Sequence, residues 1–337
     1  MMQRMLVNQN KYFLITISVF FFGFLLIFIA GFRTLENYFD TATYLMMIHT
    51  YENIWDFEPT FWIINNINKY YLGGNEQIFF LLYAILGVST KIFAIRKLSL
   101  LPIFSIYAYI CLLFVLNEMT AIRAGVAVGV FLLAIPDIFY RNFKTYMIKI
   151  LIAMAFHYSA IIFILVYFID PKKINKKIFL LLPILAFIIA FIPNITLSII
   201  GFIGEFLPGN IGLKTQAYLS LLDDDTYSTI NRFNPFILSL TFIYYFSLFN
   251  IDKFKSKFDI IFLKLLGLQI FFFYFFFSIP VFAGRLSQFF AASLIIFLPH
   301  FILIFRKKLL PIILIMTFLT IYLISVLLKY TLLFQGY

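Results

Sequence analysis

The sequence predicts an all-α, polytopic integral membrane protein, and three observations carry that prediction. Hydrophobic residues make up 63% of the 337 positions and charged residues only 12%, about half of the ~25% usual in a soluble domain. Apolar runs of ~18 residues or more recur along the chain, each long enough to cross a bilayer core. Lys and Arg gather between alternate runs, the pattern that orients membrane helices.

Taken in order, the first span is Tyr12–Ala30. It is too long for the apolar part of a signal peptide, and the GFRTLENYFD that follows is not a clear cleavage site. Arg4 and Lys11 precede it and place the N-terminus on the cytoplasmic side. Segment 32–77 is an acid-rich polar stretch, with Glu36, Asp40, Glu52, Asp56, Glu58 and Glu76 against Arg33 and Lys69. That balance suits the outer face. Within it, Phe61–Tyr71 mixes aromatics with Asn and reads as an interfacial amphipathic helix. Ile78–Ile95 returns inward and ends among Lys91, Arg96 and Lys97. Leu98–Leu116 leads out. Thr120–Phe139 comes in, with Arg123 at its outer start and Arg141 and Lys144 at its inner end.

Thr145–Asp170 has the length of one span, yet both flanks are basic. Arg141, Lys144 and Lys149 precede it, and Lys172, Lys173, Lys176 and Lys177 follow. A single crossing would leave a lysine cluster outside. Two short helices, Thr145–Phe156 and Tyr158–Ile169, would return the chain to its starting side, each ~18 Å long at ~1.5 Å per residue. His157 would then sit near the tip of a broken or re-entrant pair. Non-helical backbone at that depth is tolerated only where it lines protein or a wet cavity. One long tilted helix, with His157 bonded to a neighbouring carbonyl, is the other reading.

Ile178–Ile192 goes out to a second polar stretch, residues 193–233, with Glu205, Lys214, Asp223, Asp224, Asp225 and Arg232. Three consecutive acids read as a solvated turn, because divalent-cation sites space their ligands. Pro235–Phe249 comes in to Lys253, Lys255 and Lys257, and Ile260–Ile279 goes out. The next span begins at PVFAGRLSQFF, with Gly284 and Arg285 at its outer end, and closes at Arg306, Lys307 and Lys308. Leu309–Leu328 ends outside. The sum is a single transmembrane domain over residues 1–337, with about nine full spans plus the helix pair. Of 26 Lys and Arg, 19 fall inside and 7 outside; of 15 Asp and Glu, 4 fall inside and 11 outside. The Lys/Arg bias is the one that sets topology.

Composition and motifs exclude several classes. The lone Cys111 lies within a span, so neither a disulfide nor a cysteine metal site is expected, and three dispersed His argue against structural zinc. The net charge of +11 is accounted for by its inner distribution, so no nucleic-acid partner is expected. No GxxxxGK[ST], GxSxG or HExxH occurs, which leaves ATP-driven transport and serine or zinc hydrolysis without support.

The outer cations remain. Four of the seven are arginine: Arg33, Arg123, Arg232 and Arg285. Arginine keeps its charge and presents a planar fork that fits phosphate and carboxylate. Arg123 and Arg285 each stand at the start of a span, where free helix N–H groups favour an anion. A charge inside an apolar segment costs ~2.5–3.5 kcal/mol on insertion scales, so Arg123 must face a partner, a cavity or the interface. Two kinds of reading stand: a structural one, as an ion pair with Glu118 or by snorkelling to the head groups, and a binding fork for an anionic substrate. The acid–base candidates are Glu36, Asp40, Glu118 and His157.

The ordered elements FRTLENYFDTATY, FEPTFWIINNINKYYLGGNEQIFFLLYAILGVSTKIFAIRKLS, LNEMTAIRAGVAVGVFLLA, AMAFHYSAIIFI and GRLSQFF resemble the EpsG-like branch of the Wzy polysaccharide polymerases. There an early Arg…Asp…Tyr, a mid-chain Arg-Gln, a Phe-His and a late Arg recur in this order. Ala124 departs from the Gln that usually follows the arginine. The resemblance implies a membrane glycosyltransferase of the bacterial cytoplasmic (inner) membrane, acting in O-antigen, capsule or exopolysaccharide synthesis. Such enzymes move a growing glycan from undecaprenyl diphosphate to a sugar hydroxyl of another lipid-linked unit at the outer face. No cofactor or metal is implied, since the lipid diphosphate is the leaving group. Arg123 and Arg285, with Arg33 assisting, would bind that diphosphate, and Asp40 or His157 would take the acceptor proton. The bilayer, the undecaprenyl-diphosphate-linked oligosaccharide, a chain-length regulator and a flippase are the partners implied. A glycan ligase or other membrane transferase, and a repeat-unit flippase, are the competing readings.

Overall fold

The computed structural model describes residues 2–35, 39–50, 53–54, 58–192, 198 and 230–334. Every regular element among them is helical. Most of the second polar stretch, including Glu205, Lys214 and the acids at 223–225, lies outside the described residues, as do Glu36, Glu52 and Asp56. The chain divides into two compact units: residues 1–171, 255–258 and 294–337 form the first, and 172–254 and 259–293 the second.

The first unit opens with helix α1 (Met2–Gly31), followed by α2 (Phe39–Thr50), α3 (Pro59–Tyr71) and α4 (Glu76–Leu98). Local chemistry sets these boundaries. Pro59 is pre-formed for a first helical position. The α3 stripe Phe61, Ile64, Asn65 and Asn68 is buried at the spacing of one helix face. Gly73 and Gly74 then turn the chain in the left-handed region, at φ of 83° and 70°, which a side chain would resist. The Asn75 side chain caps α4 by accepting from the Gln77 N–H at 2.8 Å. Asn65 donates to the Ile48 carbonyl at 2.9 Å and fastens α3 to α2.

Helix α5 (Pro102–Tyr109) runs on into a π-helical stretch, Ile110–Thr120, and α6 (Ile122–Phe139) follows after a single non-helical residue, Ala121. The π geometry is closed by the Ala121 N–H on the Leu116 carbonyl, five residues back. Such wide turns are rare and gather at functional sites. Helices α1 and α6 both pack on α4.

The expected break falls at His157. Helix α7 (Phe143–Phe156) stops there, His157 takes extended backbone, and a 3₁₀ helix, Tyr158–Phe168, follows. The two arms fold back on each other. Tyr146 Oη donates to the Phe163 carbonyl at 2.5 Å, Arg141 donates to the Tyr167 carbonyl at 2.7 Å, and Tyr167 Oη donates back to the Arg141 carbonyl at 2.8 Å. The start of one arm therefore meets the end of the other, and the single long helix is not what forms. Phe131 of α6 and Phe163 stack 3.7 Å apart and hold the hairpin to the bundle.

The second unit contains α8 (Lys176–Ile189), α9 (Pro235–Phe249), α10 (Asp259–Phe275) and α11 (Pro280–Ala291). Tyr244 and Tyr245 of α9 donate to the Phe179 and Leu180 carbonyls of α8. Phe272 and Phe290 stack to join α10 and α11. Returning to the first unit, α12 (Leu294–Ile302) and α13 (Leu309–Phe334) complete the chain. His300 of α12 accepts the Leu100 N–H at 2.8 Å, just before α5.

Among the described residues, five helical segments can cross a membrane by length and composition: Phe13–Gly31, Glu76–Leu98, Pro102–Thr120, Ile122–Phe139 and Leu309–Lys329. The pair α11 and α12 makes six if counted as one span. The expected spans between residues 178 and 279 are shorter helices, of 14, 15 and 17 residues.

Candidate functional site

Three side chains far apart in sequence converge in the first unit. Glu58 stands just before Pro59, at the start of α3. One of its carboxylate oxygens pairs with Arg123 of α6. The other lies 2.9 Å from His157 Nδ1, at the tip of the hairpin. An ionised carboxylate only accepts, so Nδ1 carries the proton and donates. A second tie holds the same ends together, from Thr60 Oγ1 to the Ala155 carbonyl at 2.7 Å.

Aromatic rings wall the cluster. The Arg123 guanidinium lies 5.4 Å from the Tyr44 ring centre and 5.8 Å from that of Phe61, within cation–π range. Tyr83 of α4 is buried close enough to feel the Arg123 and Glu58 charges. Tyr83 lies seven residues into α4, about 10 Å from its start at ~1.5 Å per residue. Side chains of α2, α3 and α4 thus surround the cluster.

Burial alone would push the Glu58 carboxyl upward. The hydrogen bond from His157 and the positive charge of Arg123 outweigh it and hold Glu58 below the usual carboxylate range. Burial raises the Tyr44 hydroxyl, with Arg123 opposing and Asp40 adding to the shift. The side chains of Arg123 and His157 keep 15% and 18% of their surface, so the cluster remains reachable.

The sequence candidates fare differently. Arg123 and His157 come together, through a residue the sequence reading passed over. Asp40 lies in the first turn of α2, where its charge is felt at the Tyr44 hydroxyl. Arg33 is buried; it donates to the Glu118 carbonyl at 2.9 Å and lies 4.3 Å from the Phe80 ring centre. Arg285 is an exposed residue of α11 in the second unit. Arg232, also in that unit, lies against the rings of Phe191 and Phe277.

Glu118 corrects one expectation. It does not pair with Arg123. Its carboxylate meets Lys91 at 2.5 Å and the Tyr109 hydroxyl at 2.9 Å. Lys91 is no member of an inner basic flank: it is fully buried and also donates to the Gly87 and Gly125 carbonyls. Gly87 makes room, because a Cβ there would collide with the Glu118 carboxylate. Among the described residues, no three His, Cys, Asp or Glu gather as metal ligands would.

This fold and this site define a polytopic membrane protein with a partly exposed, charge-paired cluster in its first unit. The model of the EpsG family matches residues 16–337, nearly the entire chain. The chain belongs to the EpsG family, and it is a polysaccharide-related membrane protein. No curated protein and no solved structure matches it.

Proposed function

We propose that this protein is the polymerase of lipid-linked oligosaccharide repeat units in bacterial surface-polysaccharide synthesis. It sits in the cytoplasmic membrane with its N-terminus cytoplasmic and its site toward the outer face. The observation that carries the reading is the junction of Arg123 and His157 through Glu58. It puts a permanent cation and a proton acceptor in one partly water-excluded place. A transfer from a lipid diphosphate to a hydroxyl needs those two groups.

Arg123 neutralises the diphosphate as its bond to the sugar breaks, the electrostatic part of the reaction. His157 takes the proton of the acceptor hydroxyl, and Asp40 of α2 is the alternative acceptor. Arg33 braces the π-helical stretch that leads to Arg123, and Arg285, in the second unit, is a separate candidate for contact with a lipid diphosphate. A chain-length regulator and a flippase are the expected protein partners. One observation favours the flippase as a second reading: Lys91 and Glu118 are ionisable groups buried within the helices of the first unit.

The test is the pair Arg123→Ala and Arg285→Ala in the native host, reading polysaccharide length and lipid-linked intermediates. Single repeat units accumulating on the outer leaflet, without long chains and at normal protein levels, are expected. Long chains in both variants would remove the assignment. Units trapped on the inner leaflet would transfer it to the flippase.

A further inference from the structure

Glu58 serves two partners at once, and a lipid diphosphate competes for one of them. The guanidinium that pairs with its carboxylate is the one proposed to receive the donor. A diphosphate carries more charge than a carboxylate and fits the same fork. The contact to His157 Nδ1, at 2.9 Å, uses the other oxygen and survives loss of the first.

Resting on the transferase reading above, we propose that Glu58 is a positioning residue that yields Arg123 to the incoming lipid diphosphate and turns its charge wholly onto His157, so that donor binding prepares the imidazole to take the acceptor proton. With Nδ1 held by Glu58, the proton arrives at Nε2, the opposite ring nitrogen. The acceptor oxygen forms its bond to the anomeric carbon. The bond from that carbon to the diphosphate oxygen breaks, and the electron pair leaves with the lipid diphosphate. The carboxylate steadies the imidazolium until it loses its proton to water. Donor binding thus precedes activation of the acceptor, which limits proton removal before a donor is present.

A carboxylate that only clips α3 to the hairpin would behave differently, and two variants separate the roles. Glu58→Gln keeps the shape and removes the charge; Glu58→Asp keeps the charge on a shorter arm. The full chain is placed in lipid nanodiscs. Undecaprenyl diphosphate is the binding probe, and repeat units extracted from the host are the substrate. Glu58→Gln is expected to bind the probe about tenfold more tightly, because a partly buried ion pair no longer competes for Arg123. Its turnover is expected to fall by roughly 100-fold, the scale of a lost acid–base function. Glu58→Asp is expected to regain part of the turnover. Binding that weakens or stays unchanged in Glu58→Gln, or turnover that stays normal, overturns the hand-over and leaves a clip. If Glu58→Gln fails to fold, Glu58→Asp decides: its turnover must exceed that of Arg123→Ala in the same discs, and equal loss counts against the hand-over. Arg123→Ala tests the underlying reading separately. If it does not weaken probe binding, Arg123 is not the diphosphate site. If it does while Glu58→Gln fails to tighten binding, only the hand-over is lost.

Discussion

Two glutamates of the first unit each hold a buried cation, and they do so in opposite ways. Glu118 and Lys91 keep 1% and 0% of their side-chain surface. Backbone carbonyls and the Tyr109 hydroxyl complete the pair, and Gly87 gives it its space. Nothing from outside can enter that exchange. Glu58 and Arg123 sit on the same bundle, but with His157 as a third member and some surface left on each cation-bearing side chain. The difference is between a charge pair that fixes helices and one whose members can change partners. Ionisable groups in a membrane segment mark function by default; accessibility, not charge, separates the pair proposed to work from the closed one.

The fixed pair sets the largest expected effect. Lys91→Met leaves Glu118 buried without its counter-charge, with the Tyr109 hydroxyl still against it, a loss of roughly 3–5 kcal/mol by analogy with broken buried pairs. Little folded protein should be recovered on detergent gel filtration. The double variant Lys91→Met, Glu118→Gln should recover part of that loss. Normal yields from the single variant would break the comparison from this side.

The open pair should lose activity instead of fold. His157→Ala is expected to lower turnover by about 100-fold or more, with a melting temperature close to that of the parent. A large drop in melting temperature would make His157 part of the frame.

Acid should distinguish the pairs as well. The folded pKa of Glu58 lies below its ordinary value. Its ionised form therefore contributes stability that is complete above the ordinary value of ~4.3 and is lost as pH falls through the lower folded value. The melting-temperature gap between the parent and Glu58→Gln should be level from neutral pH down to about 5 and close only in stronger acid. A gap that closes near neutrality would contradict the Arg123 and His157 contacts. The smallest effect belongs to Thr60→Val. It removes one hydrogen bond between α3 and the hairpin tip, worth about 1 kcal/mol, and should loosen that junction measurably by hydrogen exchange at α3.

Much of this was legible in the sequence for physical reasons. Apolar runs and basic flanks give the helices because the bilayer imposes length and the cytoplasm imposes charge. Lysines on both sides of Thr145–Asp170 made a fold-back necessary, and the break came at His157 with neither proline nor glycine to mark it. Arg123 and His157 stood out because an ionisable residue in an apolar run needs a reason. Glu58 did not stand out: it was one acid among several in a polar stretch, and its partners lie 65 and 99 residues away. Its place directly before a helix-opening proline was the available signal. Lys91 misled because it precedes Arg96 and Lys97 closely enough to look like a flank, and only tertiary contact with Glu118 shows otherwise.

The most direct measurement is turnover and melting temperature of Arg123→Ala in nanodiscs, read on one preparation with host lipid-linked repeat units. We expect turnover to fall by about 100-fold or more, as when a transition-state charge loses its partner, with the melting temperature within a few degrees of the parent. Unchanged turnover, or a collapse of the melting temperature like that expected for Lys91→Met, would contradict the central claim that Glu58, Arg123 and His157 form a working site and not a second structural pair.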